Sequence, residues 1–243
     1  MWLTKLRRIG AAIVVALAAI AGAERAEAVP DISLALVLDA SGSINASQWN
    51  LQRQGYANAL NALVPTDGTV GISVVRFGTT SSIVRPFEVI DDATDLANLV
   101  NFFLSLSQSG DGGFTCISCG IEQAVTSLAG NAGAVRTLID VSTDGFWNRG
   151  VDPAGPAGTT GTSLWALTQG ITAVNALGIG VTPNFAAGDG SFNLTAPDFA
   201  AFEGAITTKL RREIIGVPEP MTIAMLGVGL LGIGLAARRR AAV

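Results

Sequence analysis

Asp39-Ala40-Ser41-Gly42-Ser43 sets a carboxylate and two hydroxyls on alternate residues, with a glycine among them that lets the backbone curl tightly. A segment of this kind can aim three hard oxygen donors at one centre. That donor type suits Mg²⁺ or Mn²⁺, with Ca²⁺ also within its range. Two more donors of the same type stand downstream. Thr115 follows the Asp111-Gly112-Gly113 turn, and Asp144 closes an apolar run that begins at Val135. Asp39, Ser41, Ser43, Thr115 and Asp144 are therefore the candidate metal set. Asp-x-Ser-x-Ser alone carries little weight, because Asp and Ser are ordinary turn and cap residues. The order of the elements bearing the five residues carries more.

Other chemistry is limited by composition. The chain has no histidine, which removes the commonest general base near neutral pH and the commonest zinc ligand. Its two cysteines form Cys116-Ile117-Ser118-Cys119 at the start of a predicted helix, where the helix dipole lowers a thiol pKa. Three readings stay open for the pair: a local disulfide, two buried thiols, or thiol–disulfide exchange. Two cysteines without histidine cannot close a zinc site. Phe146 and Trp147 directly follow the Asp144-Gly145 turn and are candidates for ligand contact, with Asn148 and Arg149 as polar companions. Trp49 and Trp165 fit either that surface or the core.

The elements that must position these residues follow from the apolar periodicity. Ile32 to Leu38 is a nearly unbroken apolar run ending at Asp39, the mark of a strand buried on both faces of a parallel sheet. Trp49, Tyr56, Leu60 and Leu63 recur at helical spacing, so a helix is expected from Ala46 to Leu63. Val70 to Phe77 reads as a strand, and Ile83 to Val89 as an edge strand because it contains Pro86. Asp91 or Asp92 can cap a helix to about Leu106, and a second helix runs from Thr115 to Leu128. Val135 to Val141 is a further buried strand, followed by a glycine- and proline-rich loop to about Thr162. The remainder predicts a helix from Ser163 to Leu177, a short strand from Ile179 to Thr182, a helix from Pro197 to Thr208 and a last strand from Leu210 to Ile215. The fold class expected is α/β: a doubly wound, mostly parallel sheet with one antiparallel edge strand and helices on both faces.

Both ends read differently from the middle. Lys5, Arg7 and Arg8 precede an apolar run from Ile9 to Ala23 and then Ala26-Glu27-Ala28, the three regions of a secretory signal peptide in order. Val217-Pro218-Glu219-Pro220 precedes an apolar stretch from Met221 to Ala237 and then Arg238, Arg239 and Arg240. That stretch is long enough to span a bilayer, and the arginines favour the cytoplasmic side. The expected organisation is a signal peptide at 1–28, one domain at 29–216 and a sorting tail with a transmembrane segment at 217–243. Between residues 29 and 217 stand eight basic and sixteen acidic side chains, a net of −8. An acidic body argues against nucleic acid as a partner and suits cations.

Taken together, these motifs carry two resemblances. The tail resembles the PEP-CTERM sorting signal, which implies recognition by an exosortase-type protease, membrane anchoring before processing, and a place at the cell surface or outside it. Residues 31 to 216 resemble the von Willebrand factor A domain and its metal-ion-dependent adhesion site (MIDAS). Leu51-Gln52-Arg53-Gln54-Gly55-Tyr56, Val89-Ile90-Asp91-Asp92, Ile139-Asp140-Val141-Ser142 and Lys209-Leu210-Arg211-Arg212-Glu213-Ile214 resemble an exported bacterial subgroup with no assigned role. The resemblance implies that Ser41, Ser43 and Thr115 contact a metal directly or through water, that Asp39 and Asp144 bind it or hold its waters, and that an acidic group of a protein or matrix ligand completes the site. It also implies a binding module rather than an enzyme. One departure is Phe114, which stands where the family usually has glycine before the threonine. The alternatives are a Mg²⁺-dependent phosphoryl-transfer hydrolase built on Asp39 and a metal-free structural envelope or matrix component.

Overall fold

The computed structural model describes residues 29–130 and 133–216. The predicted signal peptide and the predicted transmembrane tail lie outside these residues. Among the described residues no helix is long and apolar enough to cross a membrane.

The sheet is organised around β1 (Ile32–Asp39), every residue of which is buried. It runs parallel to β2 (Val70–Phe77) on one side and to β4 (Arg136–Thr143) on the other. The chain thus leaves β1 first one way and later the other, which opens a crevice at the strands' carboxyl ends. β3 (Ser81–Val89) is an antiparallel edge on β2. Its ladder slips around Pro86, which has no N–H to contribute. β5 (Ala173–Ile179) lies parallel to β4, and two short strands share its outer edge: β6 (Ala187–Gly188), antiparallel, and β7 (Asn193–Ala196), parallel.

Alternation along β1 splits the core in two. Leu34, Leu36 and Leu38 face α1 (Ala46–Leu63), α2 (Ala93–Ser105) and α5 (Phe202–Leu210), where Trp49, Tyr56, Phe103 and Phe202 pack. Ala35 and Val37 face α3 (Ile117–Leu128) and α4 (Ser163–Thr168) on the opposite side. Helix starts follow local chemistry. Asn45 accepts from the backbone N–H groups of Ser47 and Gln48 while the Gln48 side chain returns to the Asn45 N–H, a capping box. Asp92 caps α2 in the same manner.

Four expectations are corrected. The helix predicted from Ser163 to Leu177 stops at Thr168, because Gly170 adopts a φ of 91° that ends the winding. The residues beyond it form β5 rather than a strand at Ile179 to Thr182. The segment Leu210 to Ile215, expected as a strand, winds on from α5 as a single π-helical turn, Arg211–Ile215. That winding places Lys209 and Glu213 on one buried face, which the alternation of charged and apolar residues concealed. The helix expected from Pro197 to Thr208 runs from Phe202 to Leu210, and β6 and β7 had no counterpart in the sequence reading.

Candidate metal centre

Asp39 ends β1 with its side chain fully buried, and both of its carboxylate oxygens are engaged. The backbone N–H of Ser41 donates to Oδ1 at 2.8 Å, and the Thr143 hydroxyl donates to Oδ2 at 2.6 Å. The chain then turns, so that the hydroxyls of Ser41 and Ser43 lie 3.0 Å apart. Ser43 donates to Asp144 Oδ1 at 2.6 Å. A run of hydrogen bonds therefore links four of the five predicted residues across the carboxyl ends of β1 and β4.

Thr115 is buried in the third loop, which is tied to the other two through backbone groups. The Gly42 N–H donates to the Gly113 carbonyl at 3.0 Å, and a Cβ at Gly42 would press on that same oxygen at 3.3 Å. The Thr115 N–H donates to Asn148 Oδ1 at 2.7 Å, and the N–H groups of Asn148 and Arg149 donate back to the Thr115 carbonyl at 3.1 and 3.3 Å. Phe114, the unexpected residue, turns outward and is 56% exposed, with its N–H donating to Thr79 Oγ1.

Sequence reasoning missed several residues that hold this arrangement. Thr143 orients Asp39 although only its neighbour Asp144 drew notice. Arg76 pairs with buried Asp111 at 2.5 Å and also donates to the Ser107 carbonyl, which pins the loop leading to Thr115. Gln108 reaches the Ile44 carbonyl at 2.6 Å and braces the serine loop. An arginine inside an otherwise apolar strand needs a buried acceptor, so Arg76 was the available signal; which aspartate would answer it was not.

The two carboxylates of the predicted set sit in surroundings that disfavour their charge. Burial raises the Asp39 carboxyl to about 6, against hydrogen bonds from Thr143 and Ser41 that lower it. Asp144 is also raised, first by burial, with the Ser43 hydrogen bond opposing. Among the described residues neither carboxylate pairs with a basic side chain. No group of three or more Cys, Asp or Glu side chains is gathered as a metal cage there. The predicted donors are two carboxylates and three hydroxyls, a set whose chemistry suits a hard divalent ion rather than zinc bound through sulfur or nitrogen.

Around the centre, Cys116 and Cys119 are joined by a disulfide at the start of α3. Phe146 and Trp147 are exposed, at 68% and 41%, beside the Asp144 loop, whereas Trp49 is buried and donates its indole N–H to the Leu106 carbonyl. A groove of about 410 Å³ opens next to Asp144, between Gln48 and the segment Pro197 to Ala200. Lys209, the lysine a phosphoryl-transfer site would want near Asp39, is engaged by Asp140 and Glu213 within the core.

A family model whose description reads "Protein of unknown function (DUF1194)" matches residues 28–218. The chain belongs to the DUF1194 family. Residues 216–240 of this DUF1194 member match the PEP-CTERM protein-sorting motif, the mark of an exported protein with a C-terminal sorting tail. No curated protein matches it. Solved structures do. Proximal thread matrix protein 1 from the mussel byssus superposes with a TM-score of 0.60 at 18% identity, over 74% of this chain and 46% of that one. One crystal structure of the mussel protein carries a zinc-occupied MIDAS motif. The pilus adhesin SpaC from Lactobacillus rhamnosus GG matches at a TM-score of 0.57 and 16% identity, over 76% of this chain and 31% of the adhesin. A von Willebrand factor type A protein from Catenulispora acidiphila matches at 0.55 and 15%, over 76% and 43%. The chain spans less than half the length of each of these three proteins. The fold of this DUF1194 member is that of the von Willebrand factor A domain.

Proposed function

We propose that this protein is an exported binding module that holds a divalent cation at Asp39, Ser41, Ser43, Thr115 and Asp144 and uses it to capture an acidic group on a protein or matrix ligand. The observation that carries this reading is the hydrogen-bonded run from Ser41 through Ser43 to Asp144, set beside a buried Asp39 that has no basic partner among the described residues. Mg²⁺ is the ion best suited, with Mn²⁺ and Ca²⁺ as alternatives; bound there, it supplies positive charge to a ligand carboxylate.

The chain's own residues do the rest. Thr143 and the Ser41 N–H hold the Asp39 carboxylate still. Ser43 and Asp144 keep their oxygens on the same rim. The Gly42–Gly113 and Thr115–Asn148 hydrogen bonds keep the Thr115 loop beside them. Three neutral hydroxyls in the donor set leave much of the cation's charge unanswered, so an external carboxylate is drawn in. Phe146 and Trp147 offer that ligand apolar contact at the rim. The likeness to a byssal matrix protein and a pilus adhesin supports an adhesive role over a catalytic one. In the same reading residues 1–28 are removed as a signal peptide, and exosortase acts on the anchored tail at 217–243, leaving the domain at the cell surface or released.

Isothermal titration of the purified protein with MgCl₂ and MnCl₂ tests the site. Saturable binding that Asp39→Ala and Asp144→Ala each abolish is the expected outcome; undiminished binding in both variants removes the reading.

A further inference from the structure

A second cluster of reactive side chains lies deep in the α1–α5 side of the core, away from the candidate metal site. Tyr56, Asp140, Lys209 and Glu213 have no accessible surface. Lys209 is the one lysine between residues 29 and 216. Its Nζ lies 2.6 Å from Asp140 Oδ1 and 3.3 Å from Glu213 Oε1. The Tyr56 hydroxyl approaches Asp140 Oδ1 at 3.4 Å and Ser142 Oγ at 3.0 Å, and Asn175 donates to Glu213 Oε1 at 2.8 Å. Asp140 Oδ2 and Glu213 Oε2 are buried and have no hydrogen-bond partner among the described residues. Left as ions, these groups put two carboxylates against one ammonium in a dry core, with one negative charge in excess and two oxygens unanswered, an unfavourable arrangement. Three of the four short segments that resemble the exported bacterial subgroup, around Gln52 to Tyr56, Asp140 and Lys209 to Glu213, converge here.

We propose that Lys209 and Asp140 condense into an intramolecular amide, with Lys209 Nζ bonded to Asp140 Cγ, and that Glu213 catalyses the step. In the low-dielectric pocket the ammonium proton passes to the Asp140 carboxylate, which yields a neutral amine and a neutral acid. The nitrogen lone pair attacks Cγ. A Glu213 carboxyl oxygen accepts the proton lost by the nitrogen and returns one to the departing hydroxyl. One N–C bond forms, one C–O bond breaks, one water leaves, and nothing is oxidised or reduced. Fixed contact between amine and acid supplies the effective concentration that such a reaction lacks in water. The proton relay through a neighbouring carboxyl is ordinary general acid–base catalysis. Burial, then the neighbouring Asp140 charge, pushes the Glu213 carboxyl well above its usual range against the opposing Lys209 charge, so it holds a proton to give.

The product resolves the conflict in the pocket. Two opposite charges disappear, and one carboxyl oxygen departs with the water. The remaining carbonyl stays within reach of the Tyr56 hydroxyl, and the amide N–H faces Glu213. The bond would also tie α5 to β4, one strand from the sheet's centre. Given the proposed surface attachment through the tail, which follows Gly216 directly, tension entering at the C-terminal helix would pass into the sheet through a covalent link.

Mass spectrometry of the denatured, disulfide-reduced full chain decides the matter. The expected mass is lower than the sequence mass by one water, trypsin fails to cut after Lys209, and fragmentation places the link between Lys209 and Asp140. A wild-type chain at its full sequence mass, cut normally after Lys209, overturns the proposal whatever the variants do. Glu213→Gln keeps the shape of the side chain and is expected to leave the chain unlinked. A fully linked Glu213→Gln chain overturns the role given to Glu213. Asp140→Asn is expected to reach the same linked product with ammonia leaving in place of water, and its failure to link while folded counts against the chemistry. None of these readouts depends on metal binding, so they stand apart from the test of the candidate metal site.

Discussion

Replacing Asp39 by asparagine should make the metal-free protein more stable at neutral pH, although it removes a central residue of the candidate site. Burial raises the Asp39 carboxyl from its ordinary 3.8 to about 6. A folded-state pKa above the unfolded one means that the fold loses stability as pH rises from about 4 through about 6. Two pH units correspond to about 3 kcal/mol. Asparagine escapes this penalty because it does not ionise. The local hydrogen bonds can be kept: Asn Oδ1 accepts from the Ser41 N–H, and Thr143 can accept from Asn Nδ2 while donating to the Gly145 carbonyl, already 3.0 Å away. In EDTA, urea denaturation should show Asp39→Asn more stable than wild type by about 2–3 kcal/mol at pH 7.5 and nearly equal to it at pH 4. For a domain of this size that is a rise in melting temperature of roughly 5–10 °C at the higher pH. The difference between the two proteins isolates Asp39 from other carboxyls that titrate over the same range. MgCl₂ should close the gap from the wild-type side by stabilising wild type alone. If Asp39→Asn is no more stable than wild type in EDTA at pH 7.5, the account of a buried carboxylate lacking a counter-charge is wrong.

Thr143→Val removes the 2.6 Å donor to Asp39 Oδ2 and should cost about 1–3 kcal/mol in urea denaturation while weakening Mg²⁺ binding; unchanged values on both measures would show that Thr143 does not hold the carboxylate. Gly78→Ala places a Cβ against the Gly112 carbonyl oxygen and 2.9 Å from that of Asp111, so the loop carrying Thr115 must shift. A loss of about 1–3 kcal/mol is expected, with metal affinity falling in parallel, and a wild-type melting curve would refute it.

How far the chain could be read in advance differs from segment to segment. Ile32 to Leu38 and Val70 to Phe77 announce themselves as strands because burial on both faces leaves an unbroken apolar run. Asn45 and Asp92 act within three residues of their own positions, and the α2 start followed from such local chemistry. The five candidate donors could be proposed because their types, and their places after two strands and before one helix, are sequence properties. Ala173 to Ile179 misled because it continues an apolar helical pattern, and only the glycine at 170 and the open edge of β4 turn it into a strand. Leu210 to Ile215 misled because charged and apolar residues alternate as in a strand, yet the charges face Asp140 inside the core.

By itself the amino-acid order determined the chain's acidic body, its lack of histidine, the run of strands and helices, and the five oxygen-bearing residues at the ends of three of those elements. Tertiary structure alone decided that Ser43 meets Asp144, that Thr143 holds Asp39, that Arg76 finds Asp111 among many aspartates, and that Lys209 is enclosed by Asp140 and Glu213. The division has one cause. Periodicity, capping and turn chemistry act between near neighbours and leave a local pattern, whereas the partner of a buried charge or hydroxyl depends on sheet order and on which helices cover each face, which no short stretch of sequence contains.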